Sequence, residues 1–219
     1  MNSGANDYLL KPVRESHLLA KLRVFLRMTA LHQNDFDLAK NRTVLAERYR
    51  ITKLLGYGTH AIVFLAEDLD GANRQVALKL FRDTPGVAEI YEAFVATANK
   101  LKPIDSESVL RVWDYGRCDD RLYVVMEYAN GGDLARRLKG GPLSQLEVVR
   151  IGLDVARGIA AIAQAGIVHF DLKPENIMVR AGQYVLGDFG VADARGSATI
   201  PLRSEVWGTA AYLAPEYIT

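Results

Sequence analysis

The chain has 219 residues, 49% hydrophobic and 24% charged, which fits a globular protein and excludes a disordered or collagen-like one. Lysine and arginine total 27 against 26 aspartates and glutamates, so the net charge of +1 provides no global field for nucleic acid or an anionic membrane. No run of about 18 apolar residues occurs, so no membrane-spanning segment is expected, and the length allows one domain or two small ones.

The first 28 residues open with charges at Asp7, Lys11, Arg14 and Glu15, unlike a secretory signal. Tyr8-Leu9-Leu10 precedes Lys11-Pro12, and Leu18, Leu22 and Leu26, with Leu19 and Phe25, fall at helical spacing. Such a one-sided helix needs a partner layer, or acts as a free-standing interaction segment. Residues 29–48 are mixed and polar and read as a linker. Strands are expected at Tyr49–Leu55, Ile62–Ala66 and Gln75–Phe81, with Asp70-Gly71 as a hairpin turn. Ile90, Phe94, Ala98 and Leu101 predict a helix over 86–102. Two more strands fit Leu110–Tyr115 and Leu122–Glu127, separated by the single cysteine, Cys118, which excludes an internal disulfide and a cysteine-rich zinc site. A long helix over Ser144–Ala165 is expected to bury Val149, Leu153, Ala156, Ala160 and Ala163, with Gly166 ending it. A hairpin of Ile177–Arg180 and Tyr184–Leu186 turns through Ala181-Gly182. Strands first and helices later indicate an α+β chain.

Three signals carry chemistry. Leu55-Gly56-Tyr57-Gly58 places two glycines where backbone amides can approach a phosphate, although such pairs are also common plain turns. A strand follows this loop, so a dinucleotide fingerprint fails, and no Gly-Lys-Ser/Thr follows it, so a Walker loop fails too. Val76-Ala77-Leu78-Lys79 sets a small residue and a cation on one strand face. His169-Phe170-Asp171-Leu172-Lys173-Pro174-Glu175-Asn176, then Asp188-Phe189-Gly190 and Ala214-Pro215-Glu216, supply Asp171, Asn176 and Asp188 as oxygen donors on adjacent loops. Singly these are turn or cap residues; in this order they match the needs of phosphoryl transfer.

On these motifs residues 49–219 resemble a eukaryotic-like serine/threonine protein kinase of the kind found in bacteria. The resemblance implies a bilobal fold with a β-rich first lobe and a partial helical second lobe. It implies that Leu55, Gly56 and Gly58 cover phosphates, and that Val63, Ala77 and Met178 enclose adenine. Met126 falls at the gatekeeper position, Glu127-Tyr128-Ala129 form the hinge, and Asp133 lies near the ribose. It further implies that Lys79 holds phosphates, Asn176 and Asp188 bind Mg2+ (or Mn2+), and Asp171 receives or orients the proton of a protein Ser or Thr hydroxyl, with Lys173 beside it. ATP is the implied cofactor and the cytoplasm the expected location. Lys173 in DLKPEN and Thr209 in GTAAYLAPE favour serine/threonine over tyrosine specificity.

Two positions depart from the family pattern. Aligning Phe94 and Leu101 puts Thr97 where the helix normally presents a glutamate to the lysine. Glu92 is rotated by roughly 140° from Thr97, and Glu89 by about 80°. Either the helix is remodelled or Lys79 lacks its usual partner, and a pseudokinase-like binding module is then the alternative. Phe170 replaces the arginine that commonly pairs with a phosphorylated activation segment, which implies activity without that phosphate, although Ser197, Thr199 and Ser204 are available to it. Residues 1–28, with Gly4-Ala5-Asn6-Asp7-Tyr8-Leu9-Leu10-Lys11-Pro12, resemble the end of an α/β response-regulator receiver domain, which implies a sensor histidine kinase as partner. Both domains are expected to be incomplete in these 219 residues, with weak stability, little activity and exposed apolar surface beside Val149–Ala163.

Overall fold

In a computed structural model of the chain, the structure describes residues 37–58, 61–81, 87–118, 121–189 and 212, with backbone alone for 87–90 and 93. The receiver-like stretch, Ser197, Thr199, Ser204 and Ala214-Pro215-Glu216 lie outside the described residues. A helical turn at 37–40 leads to strands β1 (Val44–Leu45), β2 (Tyr49–Tyr57), β3 (Ala61–Asp68) and β4 (Arg74–Phe81). Helix α1 (Val87–Leu101), β5 (Val112–Cys118) and β6 (Arg121–Glu127) follow, then α2 (Leu134–Lys139), α3 (Gln145–Gln164) and the hairpin β7 (Ile177–Arg180) and β8 (Gln183–Leu186).

The first six strands form one antiparallel sheet in the order β1-β2-β3-β4-β6-β5, and β7 and β8 form a second. Period-two alternation explains its two faces. Ile62, Phe64 and Ala66 of β3 pair with Leu80, Leu78 and Val76 of β4, and this set joins Tyr49, Ile51, Tyr123 and Val125 in an outer core. The alternate residues face the other way. Ala61, Phe81, Leu122 and Val124 pack with Phe94, Ala98 and Leu101 of α1 and with Ile162, Leu186 and Phe189. Each fully buried large side chain contributes about 1.5–3 kcal/mol through surface removed from water.

The linker expected over 29–48 joins this sheet from residue 37 on. Leu38 and Ala39 pack against the outer core, and β1 pairs with β2 in the register Val44↔Arg50. At one end of the sheet Asp68, 1% exposed, accepts from Arg48 Nε at 2.7 Å and from Arg74 Nη2 at 3.2 Å. The Arg48 guanidinium holds the Asp68 carboxyl below the usual carboxylate range. The neighbouring Tyr49 hydroxyl donates to Asp114 at 2.6 Å, and burial followed by that bond pushes its ionisation far up. The turn between β3 and β4 is displaced from its sequence signal: the left-handed residues are Ala72 (φ 55°) and Asn73 (φ 57°), not Asp70-Gly71.

Helix α3 starts where Ser144 Oγ accepts from Glu147 N at 3.2 Å. Its covered face overturns the stripe expected from periodicity. Ile151, Gly158 and Ile162 are buried, whereas Val149 is 58% and Leu153 53% exposed, and Ala156, Ala160 and Ala163 are exposed too. Gly158 decides the side, because a Cβ there would lie 2.7 Å from Ser108 O and 3.0 Å from Leu186 Cβ. The helix is apolar on both faces, so its own period cannot name the covered one. The exposed apolar surface expected beside Val149–Ala163 is present. Next to it, a groove of about 580 Å³ between α3 and the β7–β8 turn is lined by Leu146, Val149, Leu153 and Gly182.

Candidate active site

The sheet sets one wall of a cleft. Gly56 pairs with Val63, Val63 with Lys79, and both Lys79 and Ala77 are paired across to β6 at Val124 and Met126. Paired residues share a face, so Val63, Ala77, Lys79 and Met126 form one surface at the mouth of the Gly56 turn. Space beside Gly56 is open, since a Cβ there would meet no atom within 4 Å. Gly58 N donates to Ala61 O at 2.9 Å, which closes the loop base. Leu55 is 36% exposed on the same strand.

The opposite wall comes from the hairpin and the segment after β6. Met126 and Met178 pack together with Leu110, Ala129 and Val185. Glu127 ends β6, its N–H bonded to Arg111 O at 2.8 Å, and half-buried Tyr128 leads to Ala129. Arg180 ties this crossing to the second wall. It donates to Glu127 Oε2 at 2.8 Å and to Glu107 O at 2.5 Å. No sequence pattern pointed to Arg180, because its partners lie 53 and 73 residues away. Asp133 bridges backbone to Met178, and its Oδ1 accepts from Arg136 N at 2.7 Å as the cap of α2.

The polar loops converge on the cleft. Asp171 Oδ2 accepts from Lys173 Nζ at 2.6 Å and from Asn176 Nδ2 at 3.1 Å, and Asn176 Nδ2 also reaches Asp171 O at 2.7 Å. Both bonds use the amide nitrogen of buried Asn176, which leaves its oxygen as an acceptor. Phe170 adopts φ 60° and is 59% exposed, a conformation uncommon for a bulky residue, immediately before Asp171. His169 is buried, with Nε2 at 3.0 Å from Gly187 O and its ring 5.7 Å from that of Phe189. Burial pushes the His169 pKa below its ordinary 6.5, despite the Gly187 hydrogen bond. These contacts pack His169 against Phe189 and the Gly187 carbonyl.

Asp188, at φ 55°, pairs with Lys79 across the cleft. Lys79 is 16% exposed and Asp188 40% exposed. Among the described residues no α1 carboxylate pairs with Lys79, and the Glu89 side chain lies outside them. Thr97 is half-buried and Glu92 is exposed on that helix. Behind the pair lies a small cavity of about 10 Å³ bounded by Phe81, Val112, Val124, Met126 and Phe189. Among the described residues no three His, Cys, Asp or Glu side chains cluster as a ready-made metal cage. The site instead offers the carboxylates of Asp171 and Asp188 and the amide oxygen of Asn176 on neighbouring loops.

Residues 49–219 match the family of the protein kinase domain. The chain is 36% identical over 175 residues to the serine/threonine-protein kinase PrkC of Bacillus subtilis, covering 78% of this chain and 27% of that protein. It is 34% identical over 187 residues to the serine/threonine-protein kinase pkn2 of Myxococcus xanthus, covering 82% of this chain and 22% of that one. It thus spans about a quarter of the length of these curated relatives. The kinase domain of PknI from Mycobacterium tuberculosis, as a C20A mutant, superposes with a TM-score of 0.61 at 25% identity, over 68% of this chain and 62% of that domain. The strand order, the Lys79–Asp188 cleft and the matched residues agree, and the chain belongs to the protein kinase family.

Proposed function

We propose that the protein is a serine/threonine kinase that transfers the ATP γ-phosphoryl group to Ser or Thr hydroxyls of protein substrates. The observation that carries this reading is the hydrogen-bonded set Asp171, Lys173 and Asn176, joined by the Gly187 N to Asn176 O bond to the segment that carries the Asp188 partner of Lys79. Relatives named serine/threonine kinases support the acceptor class.

The donor chemistry fits a nucleotide with Mg2+. Magnesium takes oxygen ligands, keeps several waters, and is held by one or two protein oxygens together with substrate phosphates. Asn176 Oδ1 and the Asp188 carboxylate are such oxygens, and Mn2+ accepts the same set. When bound, the ion neutralises charge on the phosphates. The remaining work belongs to the chain. Val63, Ala77, Met126 and Met178 offer apolar faces to a flat base. Glu127, Tyr128 and Ala129 present hinge backbone to its edge, and Asp133 stands by the sugar. Leu55, Gly56 and Gly58 roof the phosphates, with Lys79 as their cation. Asp171 receives or orients the proton of the attacking hydroxyl, and Lys173 screens the charge beside it.

A second reading, a nucleotide-binding module with weak or no transfer, is favoured by the engagement of Lys79 with Asp188 and by Thr97 at the position of the helix glutamate, with no α1 carboxylate paired to Lys79 among the described residues. ATP-dependent phosphorylation of a generic Ser/Thr acceptor separates the two. The kinase reading expects turnover that falls by about 10³-fold in Asp188→Ala, comparable with the loss of a positioned catalytic group. Magnesium-dependent ATP binding without Asp188-dependent turnover establishes the second. Coupling to a sensor histidine kinase is proposed from the Gly4–Pro12 phrase alone. Activity independent of activation-segment phosphate is proposed from Phe170, and phosphatase treatment that abolishes turnover would refute it.

A further inference from the structure

Lys79 and Phe81 lie two residues apart on the same face of β4, and Lys79 Nζ sits 5.3 Å from the Phe81 ring centroid. A cation within about 6 Å of a ring centroid is attracted by the ring quadrupole. The ring is itself held. Phe81 is 4% exposed, and Phe94 of α1, fully buried, meets it edge-to-face at 6.0 Å and 84°. Phe94 is seated in turn by Tyr91, stacked at 6.3 Å, and by Tyr115, edge-on at 6.0 Å. The partners of Lys79 among the described residues are therefore the Asp188 carboxylate and this ring.

We propose, resting on the kinase reading, that Phe81 is a positioning residue: its ring orders Lys79 toward the phosphates where the family pattern uses a helix carboxylate, and Phe94 transmits the position of α1 to it. The two partners behave differently once nucleotide enters. Asp188 is needed as an oxygen donor, so its hold on Lys79 weakens. The Phe81 ring has no competing ligand and stays beneath the ammonium. Being uncharged, it also leaves the whole positive charge of Lys79 to the phosphates.

The test compares Mg·ATP with adenosine, which lacks every group that Lys79 would touch. Phe81→Met keeps a similar apolar volume without a ring, and Phe81→Tyr keeps the ring. Calorimetry of the whole chain should show Mg·ATP binding about fivefold weaker in Phe81→Met. Adenosine affinity should be unchanged, and Phe81→Tyr should bind Mg·ATP like the parent. Phe94→Leu, which keeps the ring but removes its seat, should shift the same preference by a smaller factor and provides the result if Phe81→Met does not fold. Equal weakening of both ligands would reduce Phe81 to a packing residue and overturn the proposal, as would unchanged Mg·ATP binding. A parent chain that binds neither ligand would overturn the kinase reading itself, a result distinct from a silent Phe81 substitution.

Discussion

The sheet lobe and the helical region bury their apolar residues to different degrees. In the sheet both faces are covered: Ile62, Phe64 and Leu78 are 0% exposed on one side, and Phe94 of α1 is equally buried on the other. In α3 Ile162 is 1% exposed while Leu146 is 80% exposed. A helix apolar on both faces is suited to lie between two layers, and the described residues cover one. The lesson concerns pattern reading. A strand of period two names its faces unambiguously once one is buried, whereas a helix with apolar residues on two of its faces offers two equally good stripes.

The contrast is open to attack by substitution. The largest effect is expected in the sheet, where Phe64→Ala should cost about 3–5 kcal/mol and lower the denaturant midpoint accordingly. Leu153→Ala on the exposed face of α3 should stay within about 0.5 kcal/mol. Similar losses from the two would erase the distinction.

A smaller effect tests the charged edge of the same lobe. Asp68→Asn removes a buried carboxylate from two arginines, whose heads are partly exposed, and should cost about 2 kcal/mol. The Arg48 hydrogen bond lowers the folded-state pKa of Asp68 beneath its ordinary 3.8. Its stabilisation is therefore complete above that value and disappears as the pH falls below it. Thermal midpoints of the parent and Asp68→Asn should converge in acid. A gap that persists well below the ordinary value would rule out the ion pair as its source.

The smallest change in stability, with a clear change in behaviour, is expected from Leu146→Ser combined with Leu153→Ser. Unfolding should move by less than about 1 kcal/mol in total, while light scattering should report less self-association as apolar surface is removed. A large loss of stability would show that this face is packed in solution.

Much of the architecture was readable along the chain because its signals are local. Alternation placed β2, β3, β4 and β6, the Phe94, Ala98 and Leu101 spacing placed α1, and Ser144 and Gly166 bracketed α3. Ala181-Gly182 marked the tight turn, where both residues take left-handed φ, 49° and 81°. The cluster of Asp171, Lys173 and Asn176 was legible for the same reason, since all three lie within six residues. Short α2 and β1 were not read, because a two-residue strand and a six-residue helix have too few positions to show a period.

Order, spacing and residue type were thus sufficient for the longer elements and for the local cluster of Asp171, Lys173 and Asn176. Partner choice was decided by the folded chain. Lys79 meets Asp188 across 109 residues, Arg180 ties Glu127 to the Glu107 carbonyl, and Phe81 lies under the Lys79 ammonium with Phe94 behind it. The side of α3 that is covered was likewise set by Gly158 against Ser108 and Leu186. Apart from the Lys79–Phe81 contact, which lies within β4, each of these depends on distances between segments remote in sequence, and those distances exist only once the sheet, its helix and the hairpin have packed.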